Sequence, residues 1–206
     1  VGKHFVQQAL ANGHQIVAFV RDPAKPIVPN NKHALLTLIQ GDFEKPATLD
    51  QPSLYYKVDA AISFMGLPGN VEATYLSEGM ALLMSKLHEH NVKRIVCITS
   101  AGCDESDPQF GYFVKWVVFA YMLNNIHEEL RRVEKVLLNS KFADKVPYTI
   151  VRPPQLNDNE PTGQYRVSKP FLPEGGTQIT RSDLAKATLD LLEKQTHLKE
   201  IITVAN

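Results

Sequence analysis

Apolar residues along this chain fall into two recurring patterns, short continuous runs and one-sided stripes, and the two alternate. The runs are "QIVAFV" (15–20), "HALLTLIQGD" (33–42), "VDAAISFMG" (58–66), "VKRIVCITSAG" (92–102), "YTIVRPP" (148–154) and "EIITVAN" (200–206). Runs this short and this apolar predict strands of a parallel sheet covered on both faces. The stripes predict helices: residues 2–12 put Phe5, Val6, Ala9 and Leu10 on one side, and Gly13 closes that segment. Further periodic stretches are "EATYLSEGMALLMSKLHEH" (72–90), "IHEELRRVEKVLLNS" (126–140) and "RSDLAKATLDLLEK" (181–194), the last with Ser182 at its N-cap and Asp183 in its first turn. The strands are spaced by about the length of a crossover helix, as in βαβ units. Residues 157–177 are rich in proline and glycine and predict a loop, with a brief strand at "QYRV". The expected fold class is α/β: a Rossmann-like, doubly wound parallel sheet with helices on both faces. One domain spans 1–206, with a small substrate-side region from 104–125 and 155–178.

The start of the chain does not fit that alternation, because the helix at "VGKHFVQQAL" has no strand in front of it. A doubly wound sheet feeds its first helix from a central strand and a glycine-rich turn. The expectation is that such a strand and turn precede Val1, with Gly2 the last glycine of the turn. Leaving that strand out would open a slot of roughly 10 Å between neighbours normally spaced at about 4.8 Å.

Charge narrows the function classes. Twenty-two basic residues balance twenty-two acidic ones, which argues against nucleic-acid or membrane-surface binding through a general basic field. Cys97 and Cys103 are the only cysteines and have no metal-ligand spacing. The longest apolar stretch, 113–123, is too short to span a bilayer and carries Lys115. A cytoplasmic protein, monomeric or homodimeric, acting on a small molecule is the expectation.

The predicted strands end in small or polar residues: Arg21-Asp22, Gly41-Asp42, Gly66 and Ser100-Ala101-Gly102. In a doubly wound sheet the ligand lies outside those carboxyl ends. An acidic residue about 20 positions past the glycine turn suits the ribose of NAD, whereas Arg suits the 2′-phosphate of NADP. Arg21 stands at nearly that spacing from Gly2, and Lys25 adds a second cation. A guanidinium can make paired hydrogen bonds to phosphate oxygens. NADP(H) is therefore the expected cofactor, and Ser100 is expected to hydrogen-bond the acceptor rather than to act as a nucleophile.

These segments, together with "AFVRDPAK", "LIQGDF", "YTIVRPPQLNDNEPTGQYRV" and "ITRSDLAKATLDLL", resemble the atypical short-chain dehydrogenases of the NmrA-like group. Within that group the resemblance is to the biliverdin-IXβ reductase/flavin reductase type. It implies that Arg21 and Lys25 hold the 2′-phosphate, that Asp42 and Phe43 lie beside the adenine, and that Met65, Gly66 and Leu67 pass the ribose and pyrophosphate. It also implies that Ser100 faces the nicotinamide and the substrate, that Pro153 and Pro154 lie beside the nicotinamide amide, and that Val1 and Gly2 end the glycine-rich loop. The chain departs from the pattern at Gln155, where the reductase has a histidine, and it lacks the Tyr-x-x-x-Lys pair of ordinary short-chain dehydrogenases. Glutamine orients but does not titrate, so the candidate proton donors are Ser100, a tyrosine such as Tyr112, or water.

The remaining candidates carry less chemistry. His88 and His90, two apart on a helix, point to different faces, and His4 and His127 read as helix-start residues, His127 on the surface with reach into the pocket as its alternative. "EELRRVEK" reads as a solvated face with i,i+3 and i,i+4 pairs, and Trp116 and Tyr121 read as packing residues. The expected activity is NADPH-dependent hydride transfer to a small conjugated acceptor, flavin- or quinone-like, with Ser100, Gln155 and Tyr112 at the acceptor. The alternatives are a non-catalytic, NADP-binding redox sensor of NmrA type and, third, an enzyme like the sugar-nucleotide epimerases.

Overall fold

A computed structural model of the protein describes residues 1–104, 108, 111 and 123–206; Tyr112, Trp116 and Tyr121 lie outside the described residues. Nine strands and four α-helices follow in the order α1 (Gly2–Ala11), β1 (Ile16–Val20), β2 (Leu36–Gln40), β3 (Ala60–Ser63), α2 (Tyr75–Glu89), β4 (Arg94–Ile98), α3 (Asn124–Asn139), β5 (Tyr148–Arg152), β6 (Gln155–Asn157), β7 (Arg166–Ser168), β8 (Gln178–Thr180), α4 (Arg181–Glu193) and β9 (Glu200–Ala205). These counts refer to the described residues. No helix among them is long and apolar enough to cross a membrane.

The expected α/β fold is present, with alternation of side chains building two cores around the sheet. Along β4, Ile95 and Cys97 point into a cluster with Met80 and Met84 of α2 and Val133 and Leu137 of α3. Val96 and Ile98 point the other way, against Leu184, Ala187 and Leu191 of α4. Successive strand residues face opposite sides, so a fully apolar strand feeds both layers. On the α4 side, α1 adds Phe5 and Ala9 against Ala185 and Leu189. Each fully buried aliphatic side chain in these clusters contributes about 1.5–3 kcal/mol.

The sheet comes in pieces. β2 and β1 pair in parallel, β3-β4-β5-β9-β7 form a second sheet, and β6 pairs β8 in a third. Only β7, the brief strand anticipated at "QYRV", is antiparallel to its neighbour. β1 and β3 share no ladder; both line a cavity of about 1190 Å³, together with Phe5 and Ala9 of α1 and Leu83 and Leu87 of α2. The flanking strands show its effect. All five residues of β1 and three of the four in β3 are half-exposed, whereas β4 is wholly buried. The order β2-β1, then β3-β4-β5, is that of a dinucleotide-binding sheet with this cavity at its central position.

Three local expectations are corrected. No crossover helix lies between β1, β2 and β3: short 3₁₀ turns at 29–31, 46–49 and 52–54 take that place, each opening on a proline. Proline favours a first helical position but removes the N–H that a longer helix would use further along. The N-cap of α4 is Thr180, whose side chain accepts from the Asp183 N–H at 2.9 Å; Ser182 instead accepts from Gln8 of α1. Third, "EELRRVEK" is not solvated throughout. Glu128 and Glu129 do pair with Arg131 and Arg132, but Glu129 and Glu134 are buried. The Glu129 carboxylate accepts from the Ser77 N–H (2.7 Å) and hydroxyl (3.1 Å), and so anchors the first turn of α2 from α3.

Phe43 is pinned in this core: it lies over Gly79 of α2, where an added Cβ would fall 2.0 Å from its ring. Gly79→Ala improves helix propensity by about 1 kcal/mol, yet it should lower stability overall, because overpacking costs about 1–3 kcal/mol. A urea midpoint equal to or above that of the wild type would contradict this packing.

Candidate functional site

The carboxyl ends of the strands bring the predicted site residues to one edge in three groups. The first is carried by β1 and β2. Arg21 and Lys25 are exposed and, among the described residues, neither takes part in an ion pair. The Gly41 N–H donates to the Val20 carbonyl (3.0 Å) and the Gln40 side chain to the Arg21 carbonyl (3.2 Å), which ties the ends of β1 and β2 together. Asp22 is turned inward on its own loop, its carboxylate accepting from the Ala24 N–H at 3.0 Å. Asn31, with φ at 51°, closes that loop through its side chain, donating to Pro23 and Lys25 carbonyls and accepting from the Ile27 N–H. The sequence reading passed over Asn31; an Asn in a proline-rich stretch was its only signal.

The second group lies at β3. Gly2, the first residue of α1, faces the Phe64 ring, and an added Cβ would sit at an ordinary 3.5 Å from it. Met65 and Leu67 are half-buried and Gly66 is exposed. Val1 is the N-cap of α1 and makes no side-chain capping bond; the first turn holds no acidic residue. The first intrahelical bond is from the Phe5 N–H to the Val1 carbonyl. The N–H groups of Gly2, Lys3 and His4 precede it and are the unsatisfied donors of a helix start. A ten-residue helix with such an end favours an anion there.

Ser100, Pro153 and Pro154 make the third group. The Ala101 N–H donates to the Pro153 carbonyl at 2.9 Å, tying the Ser100 turn to the double proline. Ser100 is half-exposed, and its hydroxyl accepts from the Gly102 N–H at 3.2 Å. Beside it stands His127, only 2% exposed, with Nε2 3.4 Å from Ser100 Oγ. The surface reading of His127 is thereby overturned. Behind both, the buried Glu134 carboxylate accepts from Thr99 Oγ1 (2.7 Å) and from Arg152 Nε and Nη2 (3.0 and 2.7 Å), and Arg152 also reaches Asp104 at 3.2 Å. Gln155 opens β6 with its side chain exposed. Phe43 is buried and meets Phe19 edge-on.

Electrostatics limits the chemistry available. Burial pushes both the Cys97 and the Cys103 thiol up to about 12, so neither supplies a thiolate near neutral pH. Burial and the nearby Glu44 carboxylate raise the Tyr75 phenol, with Arg21 opposing; this tyrosine of the first turn of α2 stays protonated beside the cation group. Among the described residues no group of three His, Cys, Asp or Glu side chains could hold a metal ion. What the edge does offer is two places for anions, the α1 start and the Arg21/Lys25 pair, and a held hydroxyl at Ser100.

The loop beyond the double proline is fixed by a carboxylate. Asp183, 1% exposed, accepts from the Thr162 N–H and hydroxyl (both 3.0 Å), the Gly163 N–H (2.9 Å) and Asn206 Nδ2 (2.9 Å). Burial alone would raise its pKa, but these hydrogen bonds outweigh it and hold the carboxyl below its ordinary value. A depressed folded-state pKa adds stability above the unfolded value, and that stability is lost as pH falls through the folded one. Asp183→Asn should therefore be less stable than wild type at pH 7, with the gap closing as pH drops below about 4. A gap independent of pH in urea titrations would refute the assignment.

Comparison with known proteins agrees with this geometry. The NAD(P)H-binding family matches residues 1–195. A short-chain dehydrogenase/reductase from Veillonella parvula, solved with NADP, superposes with a TM-score of 0.76 at 20% identity, over 99% of this chain and 88% of the other. ChuY, an anaerobillin reductase from Escherichia coli O157:H7, gives 0.74 at 18%, over 99% and 90%. A Streptococcus pneumoniae protein whose name marks it as a candidate NADH-flavin reductase gives 0.75 at 24%, over 100% and 93%. At these identities the likeness is one of fold, a Rossmann-like sheet. With the family matched over nearly its whole length, the chain belongs to the NAD(P)H-binding family.

Proposed function

We propose that the protein is an NADPH-dependent oxidoreductase that reduces a small, conjugated acceptor of flavin or quinone type. The observation that carries this reading is the exposed Arg21/Lys25 pair after β1, in no ion pair among the described residues, together with the held Ser100 hydroxyl after β4. A dinucleotide with a 2′-phosphate matches the spread of charge along that edge: the cation pair suits the extra phosphate, and the N–H groups of Gly2, Lys3 and His4 suit the pyrophosphate. The cofactor, when bound, supplies the hydride. Ser100 hydrogen-bonds the acceptor and orients it, Pro153 and Pro154 wall the nicotinamide end, and Gln155 orients the acceptor without titrating. Family membership and the reductases among its structural relatives support the reaction class; the acceptor type and the preference for NADPH are our own inference.

Mixing the protein with NADPH and a panel of flavins, quinones and aldehydes, and following the loss of reduced-nicotinamide absorbance, tests the reaction. Oxidation with a flavin or quinone is expected. Tight NADPH binding with no acceptor turned over would instead support a regulatory role of NmrA type. For cofactor choice, Arg21→Ala should weaken NADPH binding by roughly tenfold or more, the value of hydrogen bonds to a charged group, and leave NADH affinity nearly unchanged. Equal losses for both dinucleotides, measured by fluorescence titration, would remove Arg21 from the 2′-phosphate site.

A further inference from the structure

One face of α3 is given over to the Ser100 turn. His127, Arg131 and Glu134 stand at i, i+4 and i+7, on one side of the helix. Each bonds to the five-residue segment 99–103: His127 Nε2 lies 3.4 Å from Ser100 Oγ, Arg131 Nε donates to the Cys103 carbonyl at 3.2 Å, and Glu134 accepts from Thr99 Oγ1 at 2.7 Å. The fit is close. A Cβ on Gly102 would fall 2.2 Å from His127 Cε1 and 2.4 Å from Nε2, so only glycine lets the imidazole lie this near the turn.

We propose that His127 is a positioning residue that aims the Ser100 hydroxyl hydrogen at the bound acceptor. A serine hydroxyl accepts two hydrogen bonds and donates one. One acceptor direction is taken by the Gly102 N–H at 3.2 Å. His127, donating through Nε2–H, takes the second, and the single hydroxyl hydrogen is then left for the open side, where Ser100 is half-exposed. In the other tautomer Ser100 would spend its hydrogen on the ring and could only accept from a ligand. This inference rests on the proposed reduction of a conjugated acceptor, whose electron-rich oxygen or nitrogen needs a donor from Ser100, and it deepens that reading by giving the donor its direction. Because His127 acts through Ser100, it adds nothing where that hydroxyl is absent.

Two measurements test it, the first without any turnover. Two-bond ¹⁵N–¹H correlation spectra of the protein without acceptor should show the His127 proton on Nε2, and Ser100→Ala should shift that resonance. A proton on Nδ1 with a bare Nε2 would overturn the proposal, whatever becomes of the acceptor assignment. The second uses the acceptor found in the panel. His127→Leu should lower kcat by roughly tenfold, the scale of one lost hydrogen bond, with NADPH affinity within twofold of wild type. His127→Gln, which keeps an N–H at the same reach, should recover most of the loss. On a Ser100→Ala background His127→Leu should lower the rate no further. A further tenfold fall there, or a Gln variant as slow as Leu at unchanged melting temperature, would show that His127 does not work through Ser100.

Discussion

The carboxylate of Glu134 is the constraint on which the acceptor end of the site depends. It sits in α3 yet bonds the last residue before Ser100 and the last residue of β5, so one buried group holds two strand ends in register with one helix. Such a group is costly to bury, and it persists only where its charge is paired and its oxygens are bonded. Arg152 provides the pair and Thr99 a further donor, and Asp104 takes up part of the remaining guanidinium. With these ends fixed, the 101–103 turn can close on Pro153, and Ser100 faces outward from a rigid base.

The cofactor end is built by other means. Arg21 and Lys25 ride on a loop held by side-chain bonds to its backbone, from Asn31 to Pro23, Lys25 and Ile27 and from Gln40 to Arg21. Long, hydrated cations on a loop can adapt to a phosphate, whereas a hydroxyl that must meet one ring atom needs a stiffer mount.

What the sequence made legible follows from the range of the forces involved. β1 to β5 and β9, and all four helices, could be read because strand and helix periods are local and strong here. β6 and β8 escaped because three-residue strands leave no period to detect, and the missing crossover helices escaped because helix length was inferred from spacing although Pro29, Pro46 and Pro52 favour short turns. Arg21, Lys25 and Ser100 stand out as candidates in the sequence because strand ends face the ligand in this architecture. Nothing local distinguishes His127 from a surface histidine, or Glu134 from its solvated neighbours in a charge-rich helix; their burial is decided by Ser100 and Arg152, which meet them only after folding. That Phe43 packs over Gly79, 36 positions away, has no local signal.

The cavity between β1 and β3 has a thermodynamic consequence. The cation pair belongs to the β1–β2 ladder and Ser100 to the other sheet, and no backbone ladder joins the two. Among the described residues the two are joined through side chains: Val6 and Leu10 of α1 pack on Ile16 and Leu36, Phe5 on Phe64, and Phe43 on Phe19. A dinucleotide reaching from Arg21 to the Ser100 turn would cross that seam and act as a tie between the two sheets. Its binding energy would then be shared with the fold: at a hundred times Kd a ligand adds about 2.7 kcal/mol to the stability of the state that binds it. A dinucleotide bound across the two ladders would therefore bear on stability as well as on rate.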